Sequence, residues 1–344
     1  MERLNERKDY LDSIRFIAIF MVFLTHYINR FGDQYRYLFH DMPSSIFLYG
    51  ISGKMGVAIL AVMMGMIAYR TKRGFEDAMF HRYVFFFISV ILINTAYVIW
   101  NHISVSENLN VIGFMKAGLL LEYTYFPALW FVRDFFIAYF ISILNQRANV
   151  KIGGVLLEIL ILLVFSEVWI AVCLLGNIAA ILENTGLIKE IGEYRWVTIA
   201  LLLFAWLITK LPAETNPAFV AYGISCVVLL LITSCNYRVR RIFSMRWLAW
   251  LGRFSWGFFL IHALVYNVIG TCVFHLEEHI GAKGYGWLFT GCLFFCTICN
   301  IILSVPVTKL INWLTNTMDI ALRHIVSVVL DEVREKLRFS QVNE

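Results

Sequence analysis

Charge is what this sequence lacks. Only 15% of its 344 residues are Asp, Glu, Lys or Arg, against 60% hydrophobic, whereas a soluble domain carries about 25% charged residues. A soluble core cannot absorb that apolar excess. No glycine-rich loop is present to cradle phosphate, and no serine stands in a nucleophile elbow. No internal repeat or low-complexity run is visible either. The seven cysteines fall almost wholly in apolar stretches, where a thiol behaves as a small buried hydrophobe, so no disulfide framework is legible. Metal ligation is equally poorly supported. Cys292, Cys296 and Cys299 share a helical face, but structural zinc wants four ligands in a closed tetrahedron. His275 and His279 flank Glu277 and Glu278 with no supporting ligand pattern, and no metal is expected.

What is present is membrane-length hydrophobicity. Mean hydropathy is +0.72, and each span needs roughly 20 mainly apolar residues. The length then admits about ten spans and leaves no room for a separate soluble domain. Arg3, Arg7 and Lys8 precede an apolar run, as at the start of a secretory signal. The run continues too long, contains His26 and lacks a small-residue cleavage site, so it reads as an uncleaved first span. The net charge of +5 is read through the collection of Lys and Arg in cytosolic loops, and no nucleic-acid partner is expected.

Apolar runs place spans near 11–29, 48–70, 82–100, 127–145, 195–210, 217–235, 248–272 and 286–312. The segment 152–184, interrupted by Glu158 and Glu167, is too long for one span and short for two. A single crossing would force the loop bearing Arg238, Arg240, Arg241 and Arg246 to the outside. Two crossings, near 152–166 and 167–184, bring that loop inside with Arg70, Lys72, Arg73, Arg147, Lys151 and Lys189, as the positive-inside rule prefers. The expected fold class is therefore all-α: a polytopic transmembrane bundle of about ten spans with both termini cytosolic. A membrane domain covers 1–330, and a charged tail, 331–344, reads as a surface helix or a frayed end. The outer loops 30–47 and 101–126, rich in Tyr, Phe, Asn and Glu, are candidates for binding an acceptor, although aromatics there also suit the interfacial belt.

Ionisable groups inside spans are expensive and mark function. Asp12, Arg15, Ile19, Val22 and His26 recur in steps of three and four and share one face of the first span. His26 lies eleven residues beyond Arg15, roughly 16 Å along a helix. Ser255, Phe259, His262 and Tyr266 line one face of the ninth span in the same way. Two histidines and a tyrosine can take a proton from a hydroxyl, since imidazole titrates near physiological pH; a hydrogen-bonded packing role is the alternative for either histidine. Trp130, Arg133 and Asp134 lie in the fourth span and Lys54 opens the second, a pattern that also suits an interhelical ion-pair network.

The stretches LDSIRFIAIFMVFLTH, GKMGVAILAVMMGMI, ALWFVRDFFIAY and LGRFSWGFFLIH resemble segments of the acyltransferase-3 family, membrane enzymes that modify surface polysaccharides and other glycans with acetyl or related groups. The first looks like the family's Asp-x-x-Arg helix ending in an essential histidine, which places Asp12, Arg15 and His26. The second fits at Gly56, Val57 and Gly65, with Met64 where the family has serine. The third places Trp130 and Tyr139, and the fourth Gly252, Ser255 and His262, with Trp256 for a tyrosine. Arg82 is followed by Phe85 where a second arginine is usual, and Ser304, Val305 and Pro306 stand where Glu-x-Pro is usual.

The resemblance implies a multi-pass protein of a cell membrane, the bacterial plasma membrane, surrounded by lipid. Its donor would be a cytosolic acyl-CoA, acetyl-CoA first, and its acceptor a hydroxyl of a glycan or lipid-linked sugar. Arg15, Arg73 and Arg82 would meet the donor's phosphates by charge-assisted hydrogen bonds. His26, supported by Asp12, would act as general base or transient acyl carrier. His262 and Ser255 would orient the reacting groups, with Trp130 and Tyr139 on the substrate. A transporter or small-molecule-binding module using the same polar cavity without chemistry is the rival, yet secondary transporters often show repeats and helices broken by Gly or Pro, and this chain has only five prolines. A scaffold whose charges only specify helix packing is the third reading.

Overall fold

The computed structural model describes residues 9–32, 53–104, 115–116, 119, 131–183, 199, 216–277 and 285–342. Among the described residues every regular element is an α-helix. The helices are α1 (Asp9–Gly32), α2 (Gly53–Tyr69), α3 (Phe75–Ser104), α4 (Val132–Arg147), α5 (Ile152–Val164) and α6 (Val168–Glu183). They continue with α7 (Asn216–Cys235), α8 (Tyr237–Phe243), α9 (Arg246–Arg253), α10 (Ser255–Glu277) and α11 (Tyr285–Val342). The span expected at 195–210, most of both outer loops, Trp130 and His279 lie outside the described residues.

Four helices are long and apolar enough to cross a membrane, within Asp9–Ile28, Phe75–Trp100, Ala218–Cys235 and Leu288–Ile325, and the bent pair α9–α10 makes a fifth if counted as one span. Three shorter apolar helices, α2, α5 and α6, fill in between. The chain divides into two compact units, residues 1–72 with 127–305, and 73–126 with 306–344.

In the first unit α2 is the hub, packed on α1, α4, α6 and α7. Small residues let these backbones meet, as interfaces between membrane helices require. A Cβ on Gly56 would stand 2.4 Å from the Ala18 carbonyl oxygen, one on Gly65 1.8 Å from that of Cys173, and one on Gly176 2.1 Å from that of Val62. The core around them is Ala18, Ile19, Val22 and Phe23 of α1, Val57, Ala61, Val62 and Met66 of α2, and Val172, Cys173 and Ala179 of α6.

The ambiguous segment 152–184 forms a helical hairpin. α5 ends in a tight C-cap with Ser166 at φ 62°. The Glu167 N–H reaches the Leu162 carbonyl and the Ser166 N–H that of Leu163, the paired bonds of a Schellman motif. Asn149, at φ 52°, closes α4 the same way through Val150 to Asn145 and Asn149 to Gln146. With 13 and 16 residues, α5 and α6 run about 20 and 24 Å, short of a hydrocarbon core of about 30 Å. α6 is buried behind its neighbours. α5 turns Leu156, Leu157, Leu160, Ile161 and Val164 outward.

One end of this unit gathers the polar helix termini. Arg70 pairs with Glu183, joining the ends of α2 and α6. The Tyr69 hydroxyl donates to the Val150 carbonyl at 3.4 Å, between α4 and α5. Tyr10 lies beside Arg70, Arg240 and Cys235, and Arg253 faces Asp9 at 3.6 Å. The starts of α1 and α5, the ends of α2, α6 and α7, and the α8–α9 segment thus share one layer.

Two sequence expectations change here. The span expected over 248–272 is not one straight helix: α9 and α10 meet at Phe254 with a 68° bend. There the Phe254 N–H turns to the Leu251 carbonyl, and the Ser255 hydroxyl takes the Gly252 carbonyl at 2.7 Å, so a side chain competes with the helix ladder. The last helix does not stop near 312 but continues to Val342, passing through Pro306, where the two units divide.

The second unit contains α3 and the distal part of α11. His81 meets Asp319 at 3.3 Å, and Arg323 holds Asp319 at 2.8 Å and also Asp77. Arg323 lies over the Phe80 ring, 5.5 Å from its centre.

Candidate active site

The candidate site begins on α1. Its 3.6-residue period puts Asp12, Ile19 and Val22 inward, all 3% exposed or less, with Arg15 and His26 half-buried on the same stripe. Asp12 accepts from Arg15 at 3.0 Å, one helical turn away. Beside this stripe runs a second one, Phe16, Phe20, Phe23 and Tyr27, again in steps of three and four. Successive rings of that stripe lie 5.8 to 6.0 Å apart or meet through Phe258, which stands edge-on to Phe23 at 5.5 Å. Sequence reasoning passed over these aromatics because an apolar stripe in a span reads as packing.

α10 brings the second histidine to the first. The His26 and His262 rings are 5.4 Å apart, centre to centre, tilted by 35°. His262 is fully buried, with Phe23, Phe259 and Tyr266 at ring distances of 6.3, 5.3 and 6.1 Å. Its Nδ1 lies on the Phe259 carbonyl, a contact that a donor must make, so the proton of the neutral ring is assigned to Nδ1. Nε2 is then a lone pair, buried and without a hydrogen-bond partner. Leaving such an atom unpaired costs about 1–3 kcal/mol, and sites that bind hydroxyls are places where such a cost is met.

The pair is held in place from outside. The Tyr27 hydroxyl, one residue beyond His26, donates to the Phe289 carbonyl at 3.0 Å and its ring lies 5.1 Å from that of Phe289, fixing α1 against the start of α11. Phe131, at the head of α4, meets Phe259 at 5.1 Å. Trp130, its neighbour, is outside the described residues.

Ser255 and Tyr139 lie farther along their helices. Ser255 is seven residues from His262, about 10 Å along α10, and its hydroxyl proton is engaged by Gly252. It belongs to the layer of Asp12, Arg15 and Arg253, where a Cβ on Gly252 would sit 2.0 Å from the Asp12 carbonyl oxygen. That near-contact gives Gly252 a steric reason. Tyr139 is buried on α4, eight residues past Phe131. Arg73 and Arg82 fall in the second unit, where Arg82 lies over Phe85 and Phe86 at 5.7 and 5.8 Å. In the fourth span Arg133 bends back onto Asp134 at 3.2 Å, and Lys54 stands over the Phe219 ring at 5.2 Å. Among the described residues no three His, Cys, Asp or Glu side chains converge as metal ligands.

Set against known families, residues 8–307 match the model of an acyltransferase domain, the acyltransferase-3 type. No curated protein and no solved structure matches the chain.

Proposed function

Because the chain belongs to the acyltransferase-3 family, and so to a class of membrane acyltransferases, we propose that it moves an acetyl or similar acyl group from cytosolic acyl-CoA to a hydroxyl of a surface glycan or lipid-linked sugar. The observation that carries the reading is the meeting of two imidazoles from distant stretches of chain, 5.4 Å apart, one of them with a buried, unpartnered nitrogen.

In this reading His26, the half-buried member, is the general base. It removes the acceptor's hydroxyl proton as that oxygen attacks the thioester carbonyl. The carbon–oxygen bond forms, the carbon–sulfur bond breaks, and the thiolate leaves, regaining a proton as free coenzyme A. His262 is held by Phe259 in the tautomer whose Nε2 accepts a hydrogen bond, which suits it to orient the acceptor hydroxyl or steady the imidazolium of His26. The aromatic wall of Phe23, Phe258 and Phe259 keeps bulk water from the thioester. Arg15, about 16 Å from His26 along α1, would meet the donor's phosphates while the acyl end reaches the histidines. The setting is the plasma membrane of a bacterium, with ten crossings and both termini in the cytosol.

The test is transfer of label from acetyl-CoA to isolated envelope glycans by the purified protein. General-base catalysis contributes about 10²–10⁴-fold, so His26→Ala should lose a factor in that range while remaining folded, and His262→Ala, which removes the orienting group, should also lower the rate. Normal transfer by a folded His26→Ala protein would reject the assignment. Ligand binding without transfer by the unmodified protein would favour a transporter.

A further inference from the structure

The segment Tyr237–Arg253 carries five arginines and no acidic residue. It comprises α8 and α9, with the Asn236 side chain capping the first through the Arg238 and Val239 N–H groups at 3.0 and 3.2 Å. α9 uses one face inward, Leu248, Ala249 and Gly252, and that face rests on α1 at Asp12. The outward face mixes two chemistries. Trp247 and Trp250 are 60% and 45% exposed and Ile242 60%, and between them Arg238, Arg241 and Arg246 are exposed as well. Arg240 and Arg253 have protein neighbours in Tyr10 and Asp9.

Geometry decides where this face goes. α9 is bent 68° from α10, so if α10 runs along the membrane normal, α9 lies roughly 20° from the membrane plane. A helix lying in that plane with tryptophans on one side and arginines interleaved has the make-up of an interfacial amphipathic helix. Indole rings favour the headgroup level, and guanidinium groups bind phosphate oxygens in forked pairs. Complementarity of charge points to lipids with net negative headgroups, since no carboxylate in the segment competes for the arginines.

We propose that the α8–α9 elbow is an anionic-lipid site: Trp247 and Trp250 seat it at the membrane surface, and Arg238, Arg241 and Arg246 hold the phosphates of acidic phospholipids. The proposal stands independently of the acyl-transfer chemistry. It attaches a lipid contact to the outer face of the same short helix whose inner face meets the start of α1.

The full-length protein, purified in detergent and offered equal amounts of phosphatidylglycerol and phosphatidylcholine, is assayed for retained lipid by native mass spectrometry. Phosphatidylglycerol should be preferred, and the preference should fall with added salt. Each arginine near an anionic surface contributes roughly a fivefold preference, so the triple variant Arg238→Gln, Arg241→Gln, Arg246→Gln should lose on the order of a hundredfold. The corresponding triple lysine variant should keep most of the selectivity. Unchanged phosphatidylglycerol retention in the glutamine variant would overturn the proposal. So would weakened acyl-CoA binding with lipid retention intact, which would assign the arginines to a soluble phosphate ligand. Should the glutamine variant not be recovered folded, the unmodified protein decides: a preference that is absent, or indifferent to salt, overturns it.

Discussion

Replacing Gly252 with alanine tests the link between the start of α1 and the helix that carries His262. The added Cβ would sit 2.0 Å from the Asp12 carbonyl oxygen and 2.3 Å from its carbon, against an ordinary contact of at least 3.4 Å. Both obstacles are backbone, which no rotamer change can remove, so α9 and α1 must part by about 1.4 Å. Overpacking of this kind costs about 1–3 kcal/mol, and the better helix propensity of alanine returns about 1, leaving a net loss of roughly 0–2 kcal/mol. The functional cost should be larger. α10 follows α9 directly, so the displacement is imposed on the two helices that carry the histidines, and a misplacement of about 1 Å can cost 10²-fold in rate. Gly153→Ala is the control, since nothing lies within 4 Å of its Cβ. Labelled acyl transfer and thermal unfolding in detergent, run on both variants, should show turnover reduced about a hundredfold in the first and unchanged in the second. A Gly252→Ala protein with the turnover of the unmodified chain would refute the claim that the α1–α9 contact sets the site.

Other consequences can be measured on the same preparation. Ser166 adopts a left-handed φ of 62°, so Ser166→Gly should raise stability by about 1 kcal/mol, read as a higher unfolding temperature. Tyr27→Phe removes the buried bond to the Phe289 carbonyl and should lower stability by about 0.5–1.5 kcal/mol, with a fall in transfer rate as His26 loses its anchor. Cys173 and Cys226 are both fully buried, so in the native protein their thiols should resist maleimide and become reactive only on unfolding, followed by peptide mass mapping.

The parts of the fold legible in the sequence are those that depend on local period and charge. The 3.6-residue rhythm of Asp12, Arg15, Ile19, Val22 and His26 survives unchanged in α1, because a spanning helix obeys its own hydrogen bonds before any neighbour. Length and charge together divide 152–184 near 166 and 167, and the chain breaks there between α5 and α6. The bend at Phe254 is not legible, because a serine after an apolar run does not announce that its hydroxyl will take the Gly252 carbonyl, nor does the sequence show that Gly252 packs against the Asp12 backbone. The last helix was cut short for a different reason. Its apolar run ends near 312, but i,i+4 pairing such as Asp319 with Arg323 carries the helix onward. For the site, the two histidine faces were readable separately, whereas their distance was not. The unpartnered nitrogen of His262 follows from the Phe259 carbonyl, which composition and spacing do not locate. Arg133 and Asp134, neighbours about 100° apart on a helix, meet through a bent contact at 3.2 Å, and the Ser255 hydroxyl donates to the Gly252 carbonyl at the helix break.

The clasp between Tyr27 and Phe289 joins positions 262 residues apart. At translation rates of about 5–20 residues per second, the ribosome needs roughly thirteen to fifty seconds after making the tyrosine before its carbonyl partner exists. His26 therefore waits in the bilayer, unanchored and without its companion imidazole, through most of synthesis. A nascent or truncated chain carries His26 without the ring of Phe289 behind it or the imidazole of His262 beside it.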